Sequence, residues 1–234
     1  RFKYQASNSL GKLLEVGAGC GMLGLILAAS DLTKKVVMTE TTEVLPNLEQ
    51  NMHSNISCAG ENGNDSLTHG QNQRMRSTNC CSLNQISVRS LRWDKFNKDI
   101  RKCQRKGSTD LNPHSFDTIV GTDVIFSTTL VKPLLKTLRI MSKSTTNIYL
   151  CVQIRCEDSH ALFLKKASKY GFRIRECTDD LRDIESLKWG IDLDCKLLHL
   201  CLEEDTKIDY DVTSTKKRKR CSGGGQTAAG KGKK

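Results

Sequence analysis

The stretch Leu13 to Gly24, LLEVGAGCGMLG, decides how this chain is read. Lys12 to Val16 (KLLEV) has the apolar character of a buried strand. Four glycines follow at Gly17, Gly19, Gly21 and Gly24, and Met22 to Ser30 (MLGLILAAS) continues as an apolar helix. A glycine turn between strand and helix lets the backbone approach a ligand closely. The helix start behind it carries partial positive charge.

Two nucleotides compete for such a turn. Gly19-x-Gly21-x-x-Gly24 matches the dinucleotide fingerprint literally, but that fingerprint opens at the end of the strand, and here Gly17 comes earlier. The alternative parse is Glu15-x-Gly17-x-Gly19-x-Gly21, with a carboxylate two residues before the first glycine. A pyrophosphate disfavours an acid at that place. S-adenosylmethionine carries no phosphate and ends in an ammonium, so Glu15 suits it, directly or through water. The reading therefore favours the methyl donor over a dinucleotide. Glycines that only turn the chain are the plain alternative. Glu40 closes the next β-branched run, Lys35 to Thr39 (KVVMT), and accepts ribose hydroxyls in either scheme.

Outward from this turn, strands alternate with helices. Thr41 or Thr42 is expected to cap a helix running to about Asn51, with Leu45, Leu48 and Met52 on one face and Pro46 near its first turn. Ser57 to Gln85 is rich in Asn, Ser, Gly and Gln and reads as a polar, disordered insertion. Ile86 to Arg89 resumes a short strand, and Lys95 to Pro113 reads as a polar connection. Phe116 to Val120 (FDTIV) is a buried strand, Thr128 to Met141 a helix, and Ile148 to Val152 a strand. Glu157 to Tyr170 is an amphipathic helix closed by Gly171. Phe172 to Cys177 and Lys196 to Leu202 complete the strands. Such alternation argues an α/β fold with a mostly parallel sheet, helices on both faces and an antiparallel last pair.

Composition narrows the function. The chain has 234 residues, 37% of them apolar, and no run approaches a membrane span or a secretory leader. It reads as soluble and intracellular. Its eleven cysteines show no C-x-x-C spacing, so they read as reduced thiols rather than zinc ligands. Eight of the 37 basic residues fall between Lys216 and Lys234. The remaining 29 face 26 acids, a net of only +3 against +11 for the whole chain. The folded part thus carries no electrostatic footprint for nucleic acid. Lys216 to Arg220 (KKRKR) reads as a nuclear-localisation signal, a polyanion-binding arm or a plain solvated tail, which places the protein in the cytoplasm, the nucleus or both.

The blocks LLEVGAGCGMLGL, VVMTE, LPNLEQN, LRWDKF and FDTIVGTDVIF with VKPLLKTL, in that order, resemble the seven-strand methyltransferases. Within them they resemble the protein-lysine methyltransferases that act on heat-shock chaperones, on valosin-containing protein and on elongation factors. A weaker match, CVQIRCEDSHALFLKKASKYGF, extends the likeness to about Phe172. The resemblance implies a Rossmann-like seven-strand sheet whose last strand is antiparallel, over residues 1–205, with a basic tail at 206–234. It implies S-adenosylmethionine as cofactor and a protein lysine as substrate, on a chaperone, an AAA ATPase or a translation factor, by a monomer.

Carried over residue by residue, Gly17, Ala18 and Gly19 would line the donor, with Glu15 and Gly21 framing the turn. Glu40 would hold the ribose, Trp93 would lie against the adenine, and the Thr122 backbone would border the donor. Asp123 opens the family's D-x-x-Y motif, where the substrate amine meets the methyl group. Here the motif is DVIF, so Phe126 stands in place of the tyrosine and a hydroxyl is lost. The plain alternatives are Trp93 as a core anchor and Asp123 as a turn cap. Asp117 reads as a loop-bonding acid, and Arg155 as a partner for an acid. The family also places a tryptophan-bearing helix before the first strand. Arg1 to Leu10 hold Phe2 and Tyr4 but no Trp, so the chain is truncated or the lid is missing. Two other functions remain open at this point: a methyltransferase for a small molecule or RNA, and a non-catalytic interaction protein on the same fold.

Overall fold

The computed structural model describes residues 9–30, 32–57, 85–179 and 195–203. Among them, seven strands form one sheet: β1 (Gly11–Val16), β2 (Thr33–Glu40), β3 (Ile86–Ser90), β4 (Phe116–Thr122), β5 (Ser142–Gln153), β6 (Phe172–Glu176) and β7 (Cys195–Leu202). Their order is β3-β2-β1-β4-β5-β7-β6. β1 lies between β2 and β4 and is parallel to both. Its Leu13, Leu14 and Val16 are fully buried, as expected of an inner strand covered on both faces. β7 runs antiparallel to β5 and to β6, so it is the one reversed strand. The last two strands do pair antiparallel, and β7 is the inner member because it inserts beside β5.

Among the described residues, five α-helices cover the sheet: α1 (Met22–Ala29), α2 (Leu45–Ser57), α3 (Phe96–Arg105), α4 (Thr128–Met141) and α5 (Glu157–Ala167). One face packs on Ile100 of α3, Leu134 and Leu138 of α4 and Phe163 of α5. The opposite face packs on Ala28 of α1 and Leu48 of α2. The chain leaves β1 toward β2 on one side, while β4 flanks β1 on the other. The strand C-terminal ends therefore part beside β1, the switch point at which open α/β sheets bind ligands.

Three elements differ from the sequence reading. α2 starts at Leu45 rather than at a Thr41 or Thr42 cap and runs on to Ser57. The Thr41 carbonyl accepts the Val44 and Leu45 amides in a turn that precedes the helix, and the Thr42 hydroxyl lies 3.2 Å from that of Ser90. α3 replaces the first half of the expected polar connection. Its Phe96, Ile100 and Cys103 recur at helical spacing and are buried, against seven polar residues. β5 starts six residues before Ile148. Its polar opening is accommodated by side-chain bonds: the Ser142 hydroxyl donates to the Leu138 carbonyl, and that of Thr146 to the Phe116 carbonyl. The segment before residue 9, most of the expected insertion and the basic tail lie outside the described residues.

Candidate functional site

The loop after β1 is shaped by its backbone. Gly17 has φ +65° and Gly19 φ +56°, the left-handed region that side chains rarely adopt. At Gly17 a Cβ would also press on Val124, at 3.1 Å, and on the Trp93 ring, at 3.4 Å. The Ala18 amide donates to the Thr39 carbonyl (2.9 Å), which ties the loop to the end of β2. The Gly19 amide donates to Glu40 Oε1 (3.3 Å), and the Thr41 amide donates to Glu40 Oε2. The Glu40 carboxylate is thereby fixed where β2 ends.

A cleft of about 270 Å³ opens at this rim. It brings together Gly17, Glu40, Trp93, Thr122, Asp123 and Phe126 from four separate parts of the chain. Phe126 is 53% exposed at its mouth, and its ring centroid lies 6.4 Å from that of Trp93. Trp93 has two faces to its role: it packs against the α3–α5 core and also lines the cleft.

Asp123 has φ +53°, a conformation an aspartate tolerates better than most residues. Its amide donates to the Cys151 carbonyl (2.9 Å). Its Oδ1 accepts the Gln153 amide (2.9 Å), and its Oδ2 accepts Arg155 Nη2 (2.9 Å). The carboxylate is therefore anchored across to the end of β5 instead of capping its own following turn. Arg155 pairs with an acid, as its position suggested, and that acid is Asp123. Asp117 bonds the Lys12 amide (2.8 Å) and the Lys143 ammonium (2.6 Å) at the start of β4, away from the cleft.

Four residues expected near the donor do not line the cleft. Glu15 is 1% exposed beneath the glycine turn, where its Oε2 accepts the Gly24 amide (3.1 Å). Burial, reinforced by the charge of Glu40 and opposed by the Gly24 bond, pushes its carboxyl up to about 7. Ala18 is buried in the α1–α2 face, and Gly21 is the N-cap residue of α1. Gly19 lines a neighbouring hollow with Asn47 and Asn51 rather than this cleft.

The sequence reading missed Arg92. Its amide and Nε both donate to Asp99 Oδ2 at 2.9 Å, and its Nη2 donates to Oδ1. Burial pushes the Asp99 carboxyl up, but the bonds and charge of Arg92 outweigh it and hold it below the usual range. This clamp fixes the Leu91–Trp93 segment along the cleft. Asp99 belongs to α3, so the clamp is invisible in a sequence whose segment Lys95 to Pro113 reads as a polar connection. The signal was the apolar spacing Phe96, Ile100, Cys103.

The sheet order, the reversed β7 and a cleft at the β1–β4 switch point define a seven-strand methyltransferase fold. A family model described as lysine methyltransferase matches residues 3–79 and 70–170. The chain belongs to that lysine methyltransferase family. It is 27% identical over 173 residues to ribosomal lysine N-methyltransferase 5 of Kluyveromyces lactis, covering 71% of this chain and 52% of that protein. An uncharacterized protein of Dictyostelium discoideum is 28% identical over 169 residues, covering 71% and 45%. The chain thus spans about half the length of the curated relatives it matches. A solved "predicted O-methyltransferase" of Agrobacterium tumefaciens superposes with TM-score 0.52 at 14% identity, covering 86% of this chain and 78% of that one. The Methanococcus jannaschii fibrillarin pre-rRNA processing protein gives 0.51 at 14%, covering 84% and 68%. These two likenesses are of fold.

Proposed function

We propose that this chain is an S-adenosylmethionine-dependent protein-lysine N-methyltransferase. The observation that carries the reading is the cleft that joins Gly17, Glu40 and Trp93 to Asp123 and Phe126. Its features fit the donor. Gly17 leaves open the space that a Cβ would take from the floor beside Val124 and Trp93. Glu40 offers a fixed carboxylate, the acceptor that two vicinal ribose hydroxyls require. When bound, the donor supplies an electrophilic methyl group on a sulfonium. Gly17, Glu40, Trp93 and Thr122 would hold it.

The remaining task falls to the chain's own residues. A lysine amine has a pKa of about 10.4 and must lose its proton before it can attack. Trp93 and the half-exposed Phe126 would flank the incoming amine, and the water displaced as substrate covers them would disfavour the ammonium. Asp123 would accept an N–H of the incoming amine and so aim its lone pair. Arg155 and the Gln153 amide hold that carboxylate in place and draw off part of its charge. This favours orientation over tight retention of the charged ammonium. Alignment of this kind is worth roughly 7–11 kcal/mol in well-oriented systems.

The substrate would be a protein lysine. The Kluyveromyces relative's name adds a ribosomal substrate to the chaperone, AAA ATPase and translation-factor classes of the resemblance. The test has two readouts. Calorimetry with S-adenosylmethionine should show binding, and tritiated donor mixed with lysate should label a protein at lysine. Donor binding with no labelling of any protein, in native chain and Phe126→Tyr alike, would replace this reading with a non-catalytic binding module.

A further inference from the structure

A second hollow, of about 500 Å³, adjoins the cleft and shares Trp93 and Asp94 with it. It runs between the start of α3 and α4. Lys95 and Lys98 rise on one side, Lys132 and Lys136 on the other, and all four are exposed. None of the four forms an ion pair with a described residue. The two helices supply no compensation. α4 carries Lys132, Lys136 and Arg139 with no acid, and the single acid of α3, Asp99, is taken by Arg92. Lys132 and Lys136 are one turn apart, an arrangement of like charges that costs helix stability. The groove therefore gathers four ammoniums against one lining acid, Asp94.

We infer that this groove docks an acidic stretch of the substrate protein, next in sequence to the lysine presented to the cleft. The inference rests on the methyltransferase reading above. Continuity selects a peptide. Whatever fills the groove passes Trp93 and Asp94 into the cleft, and the cleft is built for an amine-bearing chain. Asp94, shared by groove and cleft, attracts the ammonium of an arriving lysine. The four ammoniums then receive carboxylates on one flank of that lysine.

The test separates docking from turnover. Fluorescence anisotropy is measured with a labelled short peptide carrying one lysine beside a run of glutamates, with its serine counterpart and with a uridine oligoribonucleotide. Native chain is compared with Lys132→Glu/Lys136→Glu, and donor affinity serves as the control for folding. The glutamate peptide should bind the native chain tighter than the serine peptide, lose about tenfold on charge reversal, and weaken as salt rises. Equal binding of the two peptides overturns the inference, and so does a glutamate preference that survives charge reversal. Tighter binding of the oligoribonucleotide, lost on charge reversal, overturns it in favour of a nucleic-acid groove. Methyl transfer to the same peptides is read separately. Absence of any labelled lysate protein with the docking pattern intact counts against the methyltransferase reading, not against the groove.

Discussion

Glu15 carries an acid into the core directly under the glycine turn, and its cost is measurable. Its carboxyl titrates near 7 in the folded chain, against an ordinary value of 4.5. Between those values the native state holds a proton that the unfolded chain has released. Stability therefore falls as pH rises from about 4.5 to about 7, by roughly 3 kcal/mol in all. Glu15→Gln keeps an oxygen for the Gly24 amide and removes the titration. Its melting temperature should gain on the native chain across that interval; curves that stay parallel would show that Glu15 is ionised throughout. Glu40 and Asp123 give contrasting expectations on the proposed function. Glu40→Ala removes a charged acceptor worth roughly 1.5–3 kcal/mol, so the donor Kd should rise about ten- to hundredfold by calorimetry. Asp123→Ala should leave that Kd near normal and cut methyl transfer by orders of magnitude. Arg155→Ala leaves the Asp123 carboxylate with the Gln153 amide alone. The freed charge should hold the substrate ammonium more firmly and move the acid limb of the rate profile to higher pH. Arg155→Lys should bring it back; a limb that never moves would show that Arg155 does not act on the amine.

At the scale of elements, α3 shows what a sequence discloses and what it hides. β1 and its turn were legible because a buried inner strand reads as an unbroken apolar run and the glycines mark its end. α4 was legible to the residue because its apolar positions repeat over almost four turns. α3 has only Phe96, Ile100 and Cys103 to show, and seven polar neighbours dilute them. The first half of β5 was hidden for a different reason. Its Ser142 and Thr146 hydroxyls are satisfied by carbonyls of α4 and β4, contacts that only the folded chain brings together. The cleft was legible in the same uneven way: Gly17, Glu40, Trp93, Thr122, Asp123 and Phe126 meet there, while Glu15 turns inward because its partner is the helix start. Arg92 needed α3 to be seen at all. The clamp gives a prediction for the element. Asp99→Ala strips three bonds from Arg92 and should lower the urea unfolding midpoint. Because Leu91 to Trp93 line the cleft, donor affinity should fall with it in the folded fraction. Loss of stability with unchanged donor affinity would confine the clamp to the core.

Across the whole molecule, buried carboxylates pull the pH dependence in opposite directions. Burial raises the Asp110 carboxyl, but bonds from Lys35 and Ser108 and the charge of Arg89 bring it down to about 2. Its contribution is complete above the ordinary value of 3.8 and is lost as pH falls through about 2. Glu15 acts on the other side, eroding stability between about 4.5 and 7. His160 and His199 complicate the native curve, because burial lowers both below 6.5 and so adds stability as pH rises through the same interval. A single melting curve against pH cannot assign these effects, whereas differences between variants can. The gain of Glu15→Gln over the native chain should be absent near pH 4 and level off above pH 7. The loss in Asp110→Asn should be constant above pH 4 and vanish toward pH 2. Glu15 is bonded to Gly24 and feels Glu40, while Asp110 is held by Lys35, Ser108 and Arg89, so the two share no partner. Independent sites add within about 0.5 kcal/mol. The double variant should therefore show the sum of the two difference curves at every pH, and a larger departure would mean that the glycine turn and the Lys35–Asp110–Arg89 cluster respond as one unit.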